Sequence, residues 1–108
     1  MPRSPDTSPQ TLRVFDALLG QPDRWRYGYD LSKQTGLPSG TLYPILIRLA
    51  GRGLLETRWE EPETPGRPPR HLYRLAAEGA RVARSRLADA DAHRRPTRRP
   101  APGLGYGG

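Results

Sequence analysis

The side chains best suited to chemistry lie in Ser39-Gly-Thr-Leu-Tyr-Pro-Ile-Leu-Ile-Arg48. Leu42, Ile45, Leu46 and Leu49 recur at i, i+3, i+4 and i+7, which predicts one buried stripe on a helix. With that stripe inward, Gly40, Thr41, Tyr43, Pro44, Ile47 and Arg48 fall on or near the outer face. A hydroxyl, a phenol and a guanidinium near a helix N-terminus can hydrogen-bond base edges and phosphates. The chemistry they suit is therefore recognition in a DNA major groove. Ser39 stands where it can cap the first turn, and Gly51 and Gly53 where they can end the helix. An ordinary amphipathic helix with a mixed surface would show the same pattern, so the neighbouring elements must decide.

Reaction chemistry has no comparable support. No nucleophile–base pair, carboxylate dyad or phosphate loop is visible, and neither an enzymatic activity nor a cofactor is expected. The chain has no cysteine, which excludes disulfides, thiolate metal sites and cysteine nucleophiles. His71 and His93 lie too far apart for a metal motif, and no carboxylate cluster joins them. The 108 residues suffice for one small domain with a modest core. Only 34% are hydrophobic, while 12 glycines and 13 prolines predict that part of the chain is unstructured. A net charge of +7, from 18 basic against 11 acidic residues, points to a polyanion, nucleic acid before membrane. Lys33 is the only lysine, so nearly all of that charge is arginine. No run approaches the length of a membrane span and the N-terminus lacks an apolar signal core, so a cytoplasmic location is expected.

The elements that must hold these groups follow in order. Residues 1–8 read as a disordered arm, with Ser8 capping a first helix that starts at Pro9. Leu12, Phe15, Leu18 and Leu19 give its stripe, and Gly20 with Pro22 ends it. A second helix is predicted from Tyr29 to Thr35, stopped by Gly36, with Leu31 facing the core and Leu37 plugging it. Gly28, between two tyrosines, suggests close backbone approach or a tight helix start. The short turn Gly36-Leu37-Pro38 before Ser39 makes a helix-turn-helix, though short helix pairs also occur in purely structural bundles.

After Gly53 the period changes to 2. Leu55, Thr57 and Trp59 predict a half-buried strand, and His71, Tyr73 and Leu75 a second. The loop between them carries four prolines and one glycine over 61–70, with Arg67 and Arg70 suited to a minor groove or its phosphates. The alternative is a solvated loop whose charges keep an edge hairpin soluble. From Ala76 to about Arg95 a last helix shows a thin seam of Ala80, Ala83, Leu87 and Ala90 with Val82 beside it. So charged a helix is expected to pair with a second copy rather than with its own domain. Because alanines bury little area, Leu12 and Phe15 are expected to contribute to that dimer. Residues 96–108 read as a disordered basic tail.

Four blocks carry a family resemblance: Tyr27-Gly-Tyr-Asp-Leu31, Gly40-Thr-Leu-Tyr-Pro44, Arg48-Leu49 with Gly53-Leu54-Leu55, and Gly66-Arg-Pro-Pro-Arg-His-Leu-Tyr-Arg-Leu75 with Glu78-Gly79. In order and spacing they resemble the PadR family of transcriptional regulators, over about residues 11 to 90. The resemblance implies a mainly α fold with a small β-hairpin: a winged helix-turn-helix over 9–75 and a C-terminal dimerisation helix over 76–95. It implies a dimeric repressor that binds a double-stranded DNA operator and represses its own and neighbouring genes. It places Ser39, Thr41, Tyr43 and Pro44 on the recognition helix, Tyr27 and Lys33 near backbone phosphate, and Arg67 and Arg70 on the wing. A small-molecule effector that relieves repression is left open.

Three departures from the family pattern matter. Ala76 stands where a capping threonine is usual, Ile47 occupies an often polar position, and the last helix has no aromatic residue to hold a flat ligand at a dimer centre. Trp25, Trp59, Tyr29 and Tyr73 fit core or hairpin packing better than a ligand clamp. The competing reading is a winged-helix module that binds a protein and never reads DNA. Arg67, Arg70 and Lys33 suit a largely apolar protein interface poorly.

Overall fold

The computed structural model describes residues 8–94; of the arm expected over 1–8 only Ser8 is described, and the tail expected over 96–108 lies outside the described residues. The elements run α1 (Pro9–Leu19), β1 (Arg26–Tyr27), α2 (Gly28–Thr35), α3 (Ser39–Gly51), β2 (Leu55–Glu60), β3 (Arg70–Leu75) and α4 (Ala77–Arg94). The three strands form one antiparallel sheet in the order β1-β3-β2.

Ser8 caps α1 as its position predicts: its hydroxyl accepts from the Thr11 N–H at 3.2 Å and donates to the Thr11 hydroxyl at 2.8 Å. The inward stripe is Thr11, Val14, Phe15 and Leu18, while Leu12 and Leu19 are only half-buried. Thr11 is a buried polar residue, and its hydroxyl bonds to Ser8 and Arg48 make that tolerable.

The turn into α3 is built from hydroxyls and one glycine. Gly36 adopts φ 76° and its N–H donates to the Ser32 carbonyl at 3.0 Å. Thr35 Oγ1 donates to the Leu31 carbonyl and accepts from the Leu37 N–H, while Ser32 Oγ donates to the Leu37 carbonyl at 2.6 Å. These bonds hold Leu37 in the core. The N-cap of α3 is Pro38, not Ser39. Pro38 is extended, and its carbonyl accepts from both Thr41 and Leu42 N–H at 2.9 Å, which makes Ser39 the first helical residue. The helix ends in a Schellman motif: Leu54 N–H donates to Leu49 and Gly53 N–H to Ala50, both at 3.0 Å, with Gly53 at φ 78°.

β1 is not predicted by periodicity, because two residues carry none. It makes β3 the central strand, pairing Arg26 with Tyr73 and Tyr27 with Leu72. Leu72 and Tyr73 are consequently both buried, where simple alternation leaves Leu72 outside. Trp25 covers that second face, with the Arg74 and Arg58 guanidinium groups 4.3 Å and 4.7 Å from its ring centroid. Thr57 and Trp59, expected to be half-buried, are exposed, because only Leu55 at the base of β2 lies over the core.

The last helix departs most from expectation. Instead of standing clear of its own domain, α4 packs along α1, with Ala83 fully buried and Ala80, Val82 and Leu87 partly buried against the core. Phe15 and Ala83 have no exposed surface to offer a partner, so both leave the set of expected dimer contacts. Leu12, Ala80, Val82, Leu87 and Ala90 keep part of theirs. Gly79 explains how α4 comes so near: a Cβ there would fall 2.8 Å from the Leu54 carbonyl carbon and closer still to its oxygen.

Gly79→Ala is a test with an unusual sign. Helix propensity alone would stabilise by about 1 kcal/mol, but the backbone of Leu54 cannot yield as a side chain can. We expect a net loss of about 1–3 kcal/mol in urea unfolding at unchanged slope. A midpoint that stays or rises would show that α4 does not press on Leu54.

Candidate nucleic-acid interface

Burial of Leu42, Ile45, Leu46 and Leu49 fixes the rotation of α3. Ser39, Gly40, Tyr43, Pro44 and Ile47 are then exposed and Thr41 is half-buried. Arg48 does not join this group. Its guanidinium reaches inward to Thr11 Oγ1 on α1 at 3.2 Å, and its Nε is buried with no hydrogen-bond partner. The outer-face role expected for Arg48 is therefore replaced by a tie between α3 and α1.

A cleft of about 410 Å³ brings α2, α3 and the hairpin together. The expected residues Tyr27, Tyr43 and Arg70 line it, with Gly28, Tyr29, Asp30, Trp59, Pro69 and His71. Tyr29 and Trp59 are 68% and 64% exposed, so neither is a core residue, and of the two Trp59 packs on the hairpin as expected. Trp59 stacks on His71 with centroids 4.2 Å apart and planes 5° from parallel. His71 Nδ1 in turn lies 3.1 Å from the Tyr73 hydroxyl. The Tyr73 phenol is pushed above its usual pKa, by burial first and then by Tyr43, which lines the same cleft as Trp59 and His71. The close approach that Gly28 between two tyrosines suggests is present in the structure.

That approach is to Tyr43. A Cβ on Gly28 would fall 2.6 Å from Tyr43 Cζ, with the phenol oxygen nearer still. The ring of Tyr43 thus sits against the first residue of α2, and only 36% of the residue is exposed. Its phenol end faces α2 rather than the solvent in front of α3.

The remaining expected contacts lie around this cleft. Tyr27 OH donates to Glu60 Oε1 at 2.6 Å, which is the main reason its pKa is pushed up, with Arg70 pulling the other way. The Arg70 guanidinium lies 5.0 Å from the centroid of the Tyr27 ring. Lys33 is exposed, its ammonium 5.4 Å from the centroid of the Tyr29 ring. Arg67 stands apart at the wing tip. Its N–H donates to the Thr64 carbonyl at 3.3 Å, and Pro65 then Gly66 at φ 90° follow the residue pattern of a type II turn. A second hollow beneath this turn is lined by Arg67 and Arg70 but also by Glu60, Glu61 and Glu63, so carboxylates flank the wing arginines.

Arg26 is a structural residue the sequence did not single out. It is buried, donates to the Ala17 carbonyl at 3.2 Å and to Gln34 Oε1, and so ties the end of α1 to α2. Burial pulls its pKa below the usual value, Arg24 adds to this and Asp30 opposes it. Among the described residues no helix is long and apolar enough to cross a membrane, and no three acidic or histidine side chains are placed to hold a metal.

The profile of the transcriptional regulator PadR-like family matches residues 17–85. A PadR family transcriptional regulator from Eggerthella lenta is 35% identical, with a TM-score of 0.64 over 78% of this chain and 76% of that one. The PcaV transcriptional regulator from Streptomyces coelicolor, solved in complex with its natural ligand, is 28% identical, with a TM-score of 0.65 over 87% of this chain and 64% of that one. A PadR family transcription regulator from Clostridium difficile has a TM-score of 0.63 over 78% and 91%, and at 21% identity it speaks to the fold alone. No curated protein matches the chain.

The contact between Gly28 and Tyr43 is testable without DNA. Gly28→Ala is expected to cost about 1–3 kcal/mol of folding stability, and to cost almost nothing in a Tyr43→Ala background. Equal costs in both backgrounds would mean that Gly28 serves its own backbone and not the tyrosine.

Proposed function

The chain belongs to the transcriptional regulator PadR-like family, and on that premise we propose that it is a dimeric repressor that reads an operator sequence in double-stranded DNA. The observation that carries this reading is the convergence of α2, α3 and the base of the wing on one cleft, with Arg70 in its lining and Lys33 at its rim. In the proposal α3 enters the major groove. The phosphate strand beside it crosses the cleft, where Tyr29 and Trp59 offer donors, and Arg67 and Arg70 meet the flanking backbone or minor groove. Ser39, Gly40 and Thr41 face the groove from the first turn of α3, where the helix dipole favours phosphate.

A two-fold dimer would repeat this surface and make the operator a palindrome. The second copy would seat against the hollow along α1 and α4, about 480 Å³, lined by Pro9, Leu12, Leu87 and Ala90 among others. Relief by a small-molecule effector enters only by likeness to PcaV, and α4 carries no phenylalanine, tyrosine or tryptophan for stacking.

Gel-shift titration against the DNA upstream of the coding region, beside scrambled DNA of equal length at two salt concentrations, tests the proposal. Binding to the upstream fragment that survives the higher salt is expected. Equal, salt-labile binding to both would reduce the interaction to arginine charge and favour a protein partner. Arg67→Ala and Arg70→Ala are each expected to lower the salt-dependence slope by about one unit. An unchanged slope would remove the wing from the interface.

A further inference from the structure

The outward ridge of α3 has almost nothing with which to hydrogen-bond a base. Gly40, Pro44, Ile47 and Gly51 stand at i, i+4, i+7 and i+11, opposite the buried stripe, and all four are exposed. Beyond Gly40 and Gly51 there is open space. Pro44 has no N–H, Arg48 is turned toward Thr11, and the phenol end of Tyr43 sits against Gly28. What remains in the middle of the ridge is the side chain of Ile47, 67% exposed and purely hydrocarbon. On the floor of a major groove, the one apolar group that any base presents is the C5 methyl of thymine. Lys33 on α2, over the ring of Tyr29, and Arg70 on β3, in the lining of the cleft, are cations on the elements beside this helix.

Resting on the DNA-binding reading above, we propose that Ile47, with Pro44 beside it, reads thymine by van der Waals contact with its C5 methyl. The operator accordingly carries an A·T pair, thymine toward the protein, under the middle of α3. The two exposed glycines let the helix backbone come close enough for that contact. Specificity at this position comes from shape and methyl burial rather than from hydrogen bonds.

The test begins with duplexes selected from a random library by the full chain. Each thymine of the enriched site is then replaced by deoxyuridine, which removes the methyl group alone. We expect one or two positions at which wild-type binding weakens about fourfold, the worth of one buried methyl group. At those positions Ile47→Ala should bind the thymine and deoxyuridine duplexes equally. Two results overturn the proposal while leaving the DNA-binding reading intact: deoxyuridine silent at every position of an enriched site, or a loss that persists undiminished in Ile47→Ala and so belongs to another side chain such as Thr41. Failure to enrich any sequence overturns sequence reading itself, and the proposal with it.

Discussion

The structure depends on one helix being unable to turn. Leu42, Ile45, Leu46 and Leu49 are buried together on α3, and three of the four have no exposed surface at all. Each such side chain is worth about 1.5–3 kcal/mol of burial, so rotating α3 by one residue would replace the stripe with Tyr43, Leu46, Ile47 and Ala50 in one direction, or with Thr41, Pro44, Ile45 and Arg48 in the other. That penalty fixes everything displayed on the opposite side. The turn at Gly36, the Schellman end at Gly53 and the Arg48 tie to Thr11 add position along the axis, but the rotation is set by the stripe.

Long periodic segments were legible for the same reason. The stripe of α3, the glycine stop after Thr35, the Ser8 cap and the two long strands all follow from local pattern and end chemistry, which act within a turn or two of chain; on α1 the pattern found Phe15 and Leu18, but Thr11 and Val14 are buried where Leu12 and Leu19 were expected. What could not be read depends on residues distant in sequence. β1 exists because β3 is there to pair with it, and Tyr27 bonds to Glu60 across 33 positions. Trp59 alternates correctly for a buried strand, yet the hairpin runs past the edge of the core, so the pattern had nothing to bury against. Ser39 is the preferred residue type for a cap, but Pro38 took the extended conformation one position earlier. α4 looked too polar to bury itself; Gly79, by removing a side chain, brings it near enough that Ala83 suffices.

Arginine illustrates how little a residue type says before its surroundings are known. Arg26 and Arg48 are internal struts, and Arg58 and Arg74 flank Trp25, with Arg74 also paired to Glu56 at 2.6 Å. Arg81 pairs with Glu78 on the surface of α4. At the cleft and wing themselves, Arg67 and Arg70 stand among Asp30, Glu60, Glu61 and Glu63, so little net positive charge gathers there.

The place of Lys33 has a different kind of consequence. It is the single lysine of the chain and it stands at the rim of the cleft, its ammonium over the ring of Tyr29. The protein therefore has one side-chain primary amine, located where a bound duplex is proposed to lie. Any acylation of lysine, by a reagent or by a cell, strikes that surface or no side chain at all, and it erases a positive charge there when it does.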